Sequence, residues 1–83
     1  MSLNRRRNSE DGLTAKEKEI ILAYANNDMV LINTAADVGL DFRTVAAKLD
    51  IIYKVTKLNP RKFFDLIKLV QMVEEERANA DTG

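Results

Sequence analysis

The sequence predicts an all-α domain of four helices behind a polar amino-terminal arm. Apolar residues recur at helical spacing, a capping box opens the first helical segment, and a glycine and a proline divide the segments that follow. With 83 residues, the chain can build one small core. It holds no Cys and no His, which excludes disulfides, a thiol nucleophile and the usual zinc sites.

The first helix is predicted over residues 14–26. Thr14 and Glu17 have the spacing of a capping box, in which each side chain accepts a hydrogen bond from the other residue's backbone amide. Ile20 and Tyr24 keep the spacing of one buried stripe. Residues 1–12 lack this periodicity, so we expect a flexible, disordered basic and polar arm there.

The second and third helices are predicted over residues 30–38 and 41–56. Gly39 can adopt the left-handed backbone that ends a helix, and Leu40 can fill the corner between the two helices. We expect the Asp41 carboxylate to cap the third helix. The inward stripe of that helix is predicted to be Val45, Leu49 and Ile52.

A fourth helix is predicted to begin at Asn59 and Pro60, since proline suits the first helical position. We expect it to run to residues 74–76 and to complete a domain of residues 13–78, with a frayed tail over residues 79–83. The residues expected to serve the core are Phe63, Ile67, Val70 and Val73.

Residues 34–49 have the pattern of a helix-turn-helix. Two helices that cross at roughly 90 to 120° over a short turn need a small residue at their closest approach, here Ala35, and a glycine in the turn, here Gly39. The apolar residues at the offsets that complete the pattern are Val38, Leu40, Val45 and Leu49. An ordinary helical hairpin with a glycine corner is the alternative interpretation.

Charge is polarised along the chain, although the net charge is zero. Residues 41–62 carry six basic and two acidic residues, a net +4, whereas residues 63–83 carry −3. Positive charge is therefore concentrated on the third helix and the turn after it. The local field there matters more for a charged partner than the total does.

A longer pattern covers residues 20–72. Its residues are Tyr24, Asn26, Asn27, Thr34, Ala35, Thr44, Val45, Leu49, Ile52, Thr56, Leu58, Pro60, Arg61, Lys62, Phe63, Asp65 and Leu66. In these the sequence resembles the carboxy-terminal helix-turn-helix domain of PucR-type regulators, the family of purine-catabolism and sugar-diacid activators. The resemblance implies a homeodomain-like, wingless DNA-binding domain that regulates transcription and often acts as a homodimer. Phe42, Ala46 and Ala47 depart from the family pattern, which commonly has basic residues at the first two positions and tyrosine at the third.

The expected contacts with double-stranded DNA lie on the recognition helix, about residues 41–56, and on the turn after it. We expect Arg43 to read a base edge, Thr44 to contact a base or phosphate, and Lys48 to contact the backbone. The full set of predicted DNA-binding residues is Phe42, Arg43, Thr44, Ala47, Lys48, Lys54, Lys57, Arg61 and Lys62. Surface exposure without DNA contact is the alternative for most of these residues. For Ala47 it is helix propensity or close packing against a partner, and for the last four it is a solvated basic turn. The arm's residues 5–7, all Arg, could follow a DNA groove or have no partner.

The fourth helix has a wider apolar face than one small core needs. We expect Phe64, Leu69 and Met72 to form a homodimer interface on a face next to the core stripe. A broader core closed by the first helix is the alternative.

Several function classes have no support in the sequence. No pattern predicts catalysis, a cofactor, a metal site, a small-molecule site or a membrane span, so we expect a bacterial, cytoplasmic protein that is not an enzyme. The main alternative to a DNA-binding domain is a helical protein–protein interaction module with a degenerate helix-turn-helix. It would use an apolar surface of Phe42, Ala46 and Ala47. Structured RNA is a weaker option, since no sheet offers stacking aromatics.

Overall fold

The computed structural model describes residues 12–82, with side chains described through residue 78. That range contains four α-helices and no strand: α1 (Ala15–Asn26), α2 (Leu31–Val38), α3 (Phe42–Thr56) and α4 (Phe63–Thr82). The predicted all-α fold of four helices is therefore confirmed. Of the arm predicted over residues 1–12, residues 1–11 lie outside the described residues. No helix in the described range is both long enough and apolar enough to cross a bilayer.

α1 begins where the capping box predicted it. The Glu17 amide donates to Thr14 Oγ1 over 3.1 Å, and the Thr14 amide donates to Glu17 Oε1 over 3.0 Å. Two amides that the first helical turn would leave without partners are thereby satisfied. Glu17 is buried whereas Thr14 is exposed, so the cap lies at the edge of the packed interior with its carboxylate inside.

α1 is the central helix, because it packs against each of the other three, and α2 also packs against α3. In the described range, α1 is the only helix whose Cα atoms come within 8 Å of those of α4. The Lys18 ammonium donates to Glu76 Oε2 over 2.7 Å and ties the start of α1 to the later part of α4. The core between the helices is formed by Leu13, Ile20, Ile21, Tyr24, Ala35, Val38, Val45, Leu49, Ile52, Leu66, Leu69 and Val73.

The predicted Asp41 cap is wrong in its chemistry. Asp41 stands at the N-cap of α3, but its carboxylate makes no capping hydrogen bond. Its backbone carbonyl accepts instead from the amides of Thr44 and Val45, over 3.0 and 3.1 Å. The side chain is exposed, and the backbone alone starts the helix.

α4 begins at Phe63, after the predicted start at Asn59 and Pro60. Pro60 is buried in a turn that the Lys62 amide closes by donating to the Asn59 carbonyl over 2.9 Å. The Asn59 side chain accepts from the Arg61 amide over 3.0 Å, as turn-forming asparagines do. At its other end, α4 continues through residues 79–82, within the predicted frayed tail.

The predicted faces of α4 are corrected by its packing. Leu69, expected at a dimer interface, is completely buried in the core, and Met72 is half-buried. Phe63 and Ile67, expected in the core, are exposed. The core stripe is formed by Leu66, Leu69 and Val73, so the helix is rotated about its axis from the predicted orientation. Phe64 is exposed at 74%, as its predicted place outside the core requires.

Candidate nucleic-acid interface

The corner between α2 and α3 is built by Gly39. Its φ of 72° is left-handed, and the amides of Gly39 and Leu40 both donate to the Ala35 carbonyl. This arrangement ends α2 by satisfying a carbonyl that the helix leaves open. Ala35 is buried in the core, and α2 packs against α3. The chain therefore turns at Gly39, as the glycine pattern predicted, and α3 leaves in a new direction.

α3 has one buried face and one exposed face. Val45, Leu49 and Ile52 are completely buried. The opposite side, at helical spacing of about 3.6 residues per turn, consists of exposed residues that we call the outward stripe. The outward stripe is Arg43, Ala47, Asp50 and Lys54, with Thr44 exposed beside its start. A helix of a helix-turn-helix must present such a face to enter a groove of DNA.

Arg43 is placed at the amino-terminal end of the outward stripe. Its guanidinium carbon lies 5.7 Å from the centre of the Phe42 ring, within the range of a cation–π contact. The ring is partly exposed and supports the guanidinium from one side. Phe42 thus orients the residue that we expect to read a base edge.

Asp50 puts a negative charge in the middle of the outward stripe, and Arg61 balances it. Arg61 Nη1 lies 2.7 Å from Asp50 Oδ1, and Nη2 lies 3.4 Å from the Ala46 carbonyl. Both side chains remain substantially exposed, so water screens the pair. Arg61 is therefore engaged with α3, whereas Lys57 and Lys62 are exposed and enter none of the ion pairs found among the described residues.

The basic turn between α3 and α4 is held by internal hydrogen bonds. Thr56 Oγ1 donates to the Ile52 carbonyl over 2.8 Å and accepts from the Leu58 amide over 3.0 Å. The Asn59 amide donates to Asp65 Oδ2 over 3.0 Å. Lys57 adopts a left-handed φ of 67°. These contacts fix the backbone that carries the turn's cations.

Lys48 lies apart from the other predicted DNA contacts. Its ammonium is 4.0 Å from Glu17 Oε2, and two thirds of the side chain is covered. Lys48 thus faces the buried cap of α1, away from the outward stripe. The structure brings together Arg43, Thr44, Ala47 and Lys54 on one face of α3 and separates Lys48 from them.

Sequence reasoning missed several residues on the exposed side of α3. Asp50 follows Ala47 by three positions, so continuing the spacing from Arg43 would have included it. Ile51, Tyr53 and Val55 are also partly exposed. Their apolar character gave no indication of an exposed position, since apolar side chains on an amphipathic helix usually face the core.

A second feature, which we call the α4 groove, lies between the end of α1 and the start of α4. It is an open groove of about 430 Å³ lined by Ala25, Asp28, Met29, Phe63, Leu66, Ile67, Val70 and Gln71. Sequence reasoning could not find it, since its walls come from distant segments. Asp28 and Met29 adopt left-handed φ values of 56° and 65°, which no local residue pattern predicted.

Comparison with family models, curated proteins and solved structures returned no match for this chain. In the described range, no group of three or more acidic side chains comes together in a way that could hold a metal ion.

Proposed function

We propose that this domain binds double-stranded DNA through α3 and acts as a transcription-regulator module. The observation that carries the proposal is the outward stripe, where Arg43 and Lys54 are exposed on the helix that follows the glycine corner. The exposed Lys57 and Lys62 extend positive charge beyond the end of α3. A duplex offers phosphates on both sides of the groove that such a helix enters.

Each residue has a role in this proposal. Arg43 reads a base edge through its forked guanidinium, and Thr44 contacts a base or phosphate beside it. Ala47 allows the helix to approach the groove closely. Lys54, Lys57 and Lys62 contact phosphates. Arg61 first neutralises Asp50 and is only partly available to DNA.

The PucR-type resemblance belongs to the same proposal and rests on the residues quoted for it. A bacterial, cytoplasmic regulator without enzymatic activity is the setting that it implies. Two modules joined as a homodimer would present two such α3 surfaces to a pair of half-sites.

The test is a titration of a labelled mixed-sequence duplex with the full chain at about 50 mM and about 200 mM salt, followed by fluorescence anisotropy. With the three lysine–phosphate contacts, affinity should fall roughly fortyfold across that range. Arg43→Ala should cost about 1 to 3 kcal/mol of binding free energy. Arg77→Ala, an exposed arginine late in α4, is the matched control and should leave binding unchanged. No binding at the lower salt, or equal losses in both variants, would refute the proposal.

A protein-interaction module is the second candidate, and a specific observation favours it. Phe42 and Tyr53 are 42% and 49% exposed, and Ile51 is partly exposed on the same helix. Exposed aromatic side chains of this kind are typical of protein interfaces. Such a module would ignore duplex DNA at both salt concentrations, whereas Phe42→Ala would weaken its binding to a protein partner.

A further inference from the structure

Phe42 and Arg43 form one exposed unit at the start of α3. The Phe42 ring is 42% exposed, and its centre lies 5.7 Å from the Arg43 guanidinium carbon. Arg43 is also exposed and enters none of the ion pairs found among the described residues. The first residues of a recognition helix are the ones that reach base edges. The two side chains are therefore placed to meet a duplex together.

We propose that this unit selects a thymine next to a guanine in the major groove, with Arg43 on the guanine and Phe42 on the 5-methyl group of the thymine. The inference rests on the proposed function and deepens it, since it names the bases that the same surface of α3 would read. Guanine presents two acceptors, O6 and N7, at the spacing of the guanidinium fork. Arg43, which has no carboxylate partner, can direct its fork to them.

The contact between the two side chains determines which base pair Phe42 meets. A guanidinium that donates two parallel hydrogen bonds to guanine lies close to the plane of that base. While the fork is occupied in this way, the ring keeps its contact by covering a face of the guanidinium. Neighbouring base pairs are stacked about 3.4 Å apart along the duplex. The Phe42 ring therefore lies at the level of an adjacent base pair.

The chemistry of the ring determines which base it accepts there. Of the four bases, only thymine presents an apolar group in the major groove, its 5-methyl group. A phenylalanine ring has no donor or acceptor, so against any other base it covers polar groups and leaves them without partners. Covering the methyl group, in contrast, removes apolar surface from water and gains free energy. Phe42 thus favours thymine and disfavours the other three bases.

The first test is a selection from duplexes with a randomised central segment, made with the unmodified full chain and with Phe42→Ala. Both proteins should enrich a guanine at one position, and only the unmodified chain should enrich a thymine in the base pair beside it. Tyr53→Ala, at the other exposed aromatic residue of α3, is the matched control and should keep the thymine. Far-UV circular dichroism should be the same for all three proteins, since neither ring is in the core.

The second test removes the methyl group without changing the protein. The selected duplex is remade with deoxyuridine in place of the thymine, which leaves every hydrogen-bonding group of the base unchanged. The unmodified chain should bind the deoxyuridine duplex about threefold to fivefold more weakly, whereas Phe42→Ala should bind both duplexes equally. Equal affinities of the unmodified chain for the two duplexes, no thymine beside the guanine, or a methyl preference that survives Phe42→Ala would each overturn the proposal.

Failure of this inference can be told from failure of the proposed function. Salt-dependent binding that shows no preference for a thymine beside a guanine refutes only the base selection and leaves α3 as a DNA-binding surface. A chain that binds no duplex of the randomised pool at low salt refutes both.

Discussion

The outward stripe of α3 and the exposed start of α4 have similar helical geometry but different chemistry. α3 presents Arg43 and Lys54 with a neutralised acid between them, whereas α4 presents Phe63, Phe64 and Ile67. Charged side chains can remain solvated until a charged partner arrives, but a cluster of apolar ones costs free energy as long as water covers it. The proposed binding of a polyanion therefore concerns α3, whose outward stripe is charged, and not the apolar start of α4.

The largest effect should come from testing which side of α4 is buried. Leu69→Ala should lower the free energy of unfolding by about 2 to 5 kcal/mol, because it leaves a cavity in the core. Ile67→Ala is the matched control on the exposed side, and it should cost less than about 1 kcal/mol. Urea unfolding of both variants at one low protein concentration provides the measurement. If the two losses were equal, the division of α4 into a core side and an outward side would be wrong.

A smaller effect on stability should come from changing Gly39 and Lys57, the residues with left-handed backbone conformations just before and just after α3. A Cβ on Gly39 would meet no atom within 4 Å, so Gly39→Ala carries only backbone strain and should destabilise the domain by about 1 to 2 kcal/mol. Lys57 already bears that strain. Lys57→Gly should therefore stabilise the fold by up to about 1 kcal/mol.

Thermal unfolding of these two variants should shift the Tm in opposite directions. A loss of stability in both would show that the Lys57 side chain contributes more than its backbone strain costs. An unchanged Tm in Gly39→Ala would contradict the left-handed corner that directs α3 outward.

The smallest effect concerns the charge of the outward stripe. Asp50→Asn removes the acid from the stripe and releases Arg61. DNA affinity should then rise, by less than about tenfold. The salt dependence of binding should also become steeper, by about one phosphate contact. The stability lost with the exposed ion pair should stay below about 1 kcal/mol. Anisotropy titrations at two salt concentrations measure the binding effect, and weaker binding would mean that Asp50 positions Arg61 for DNA.

Sequence reasoning succeeded where local geometry decides the structure. The Thr14 and Glu17 pair determines its own hydrogen bonds within one helical turn, and a glycine at position 39 is the residue type best suited to the left-handed corner. The buried stripe of α3 could be predicted from the sequence because the spacing of Val45, Leu49 and Ile52 places them on a single face. Polar and charged residues occupy most of the opposite side, which leaves one choice of orientation.

It failed where tertiary packing decides. Apolar residues occupy almost every face of the first part of α4, at Phe63, Phe64, Leu66, Ile67, Leu69, Val70, Met72 and Val73. Two stripes fit that pattern, and only contact with α1 selects the one through Leu69. The Asp50–Arg61 pair and the α4 groove likewise join residues from different elements, so no local pattern indicates them.

The most direct test of the account is amide chemical-shift mapping of the isotope-labelled full chain during titration with duplex DNA. We expect the largest changes at Arg43, Ala47 and Lys54, with the resonances of Phe64 and Ile67 nearly unchanged. Changes concentrated at Phe64 and Ile67, or no change along α3 at saturating DNA, would contradict the proposed binding of DNA by α3.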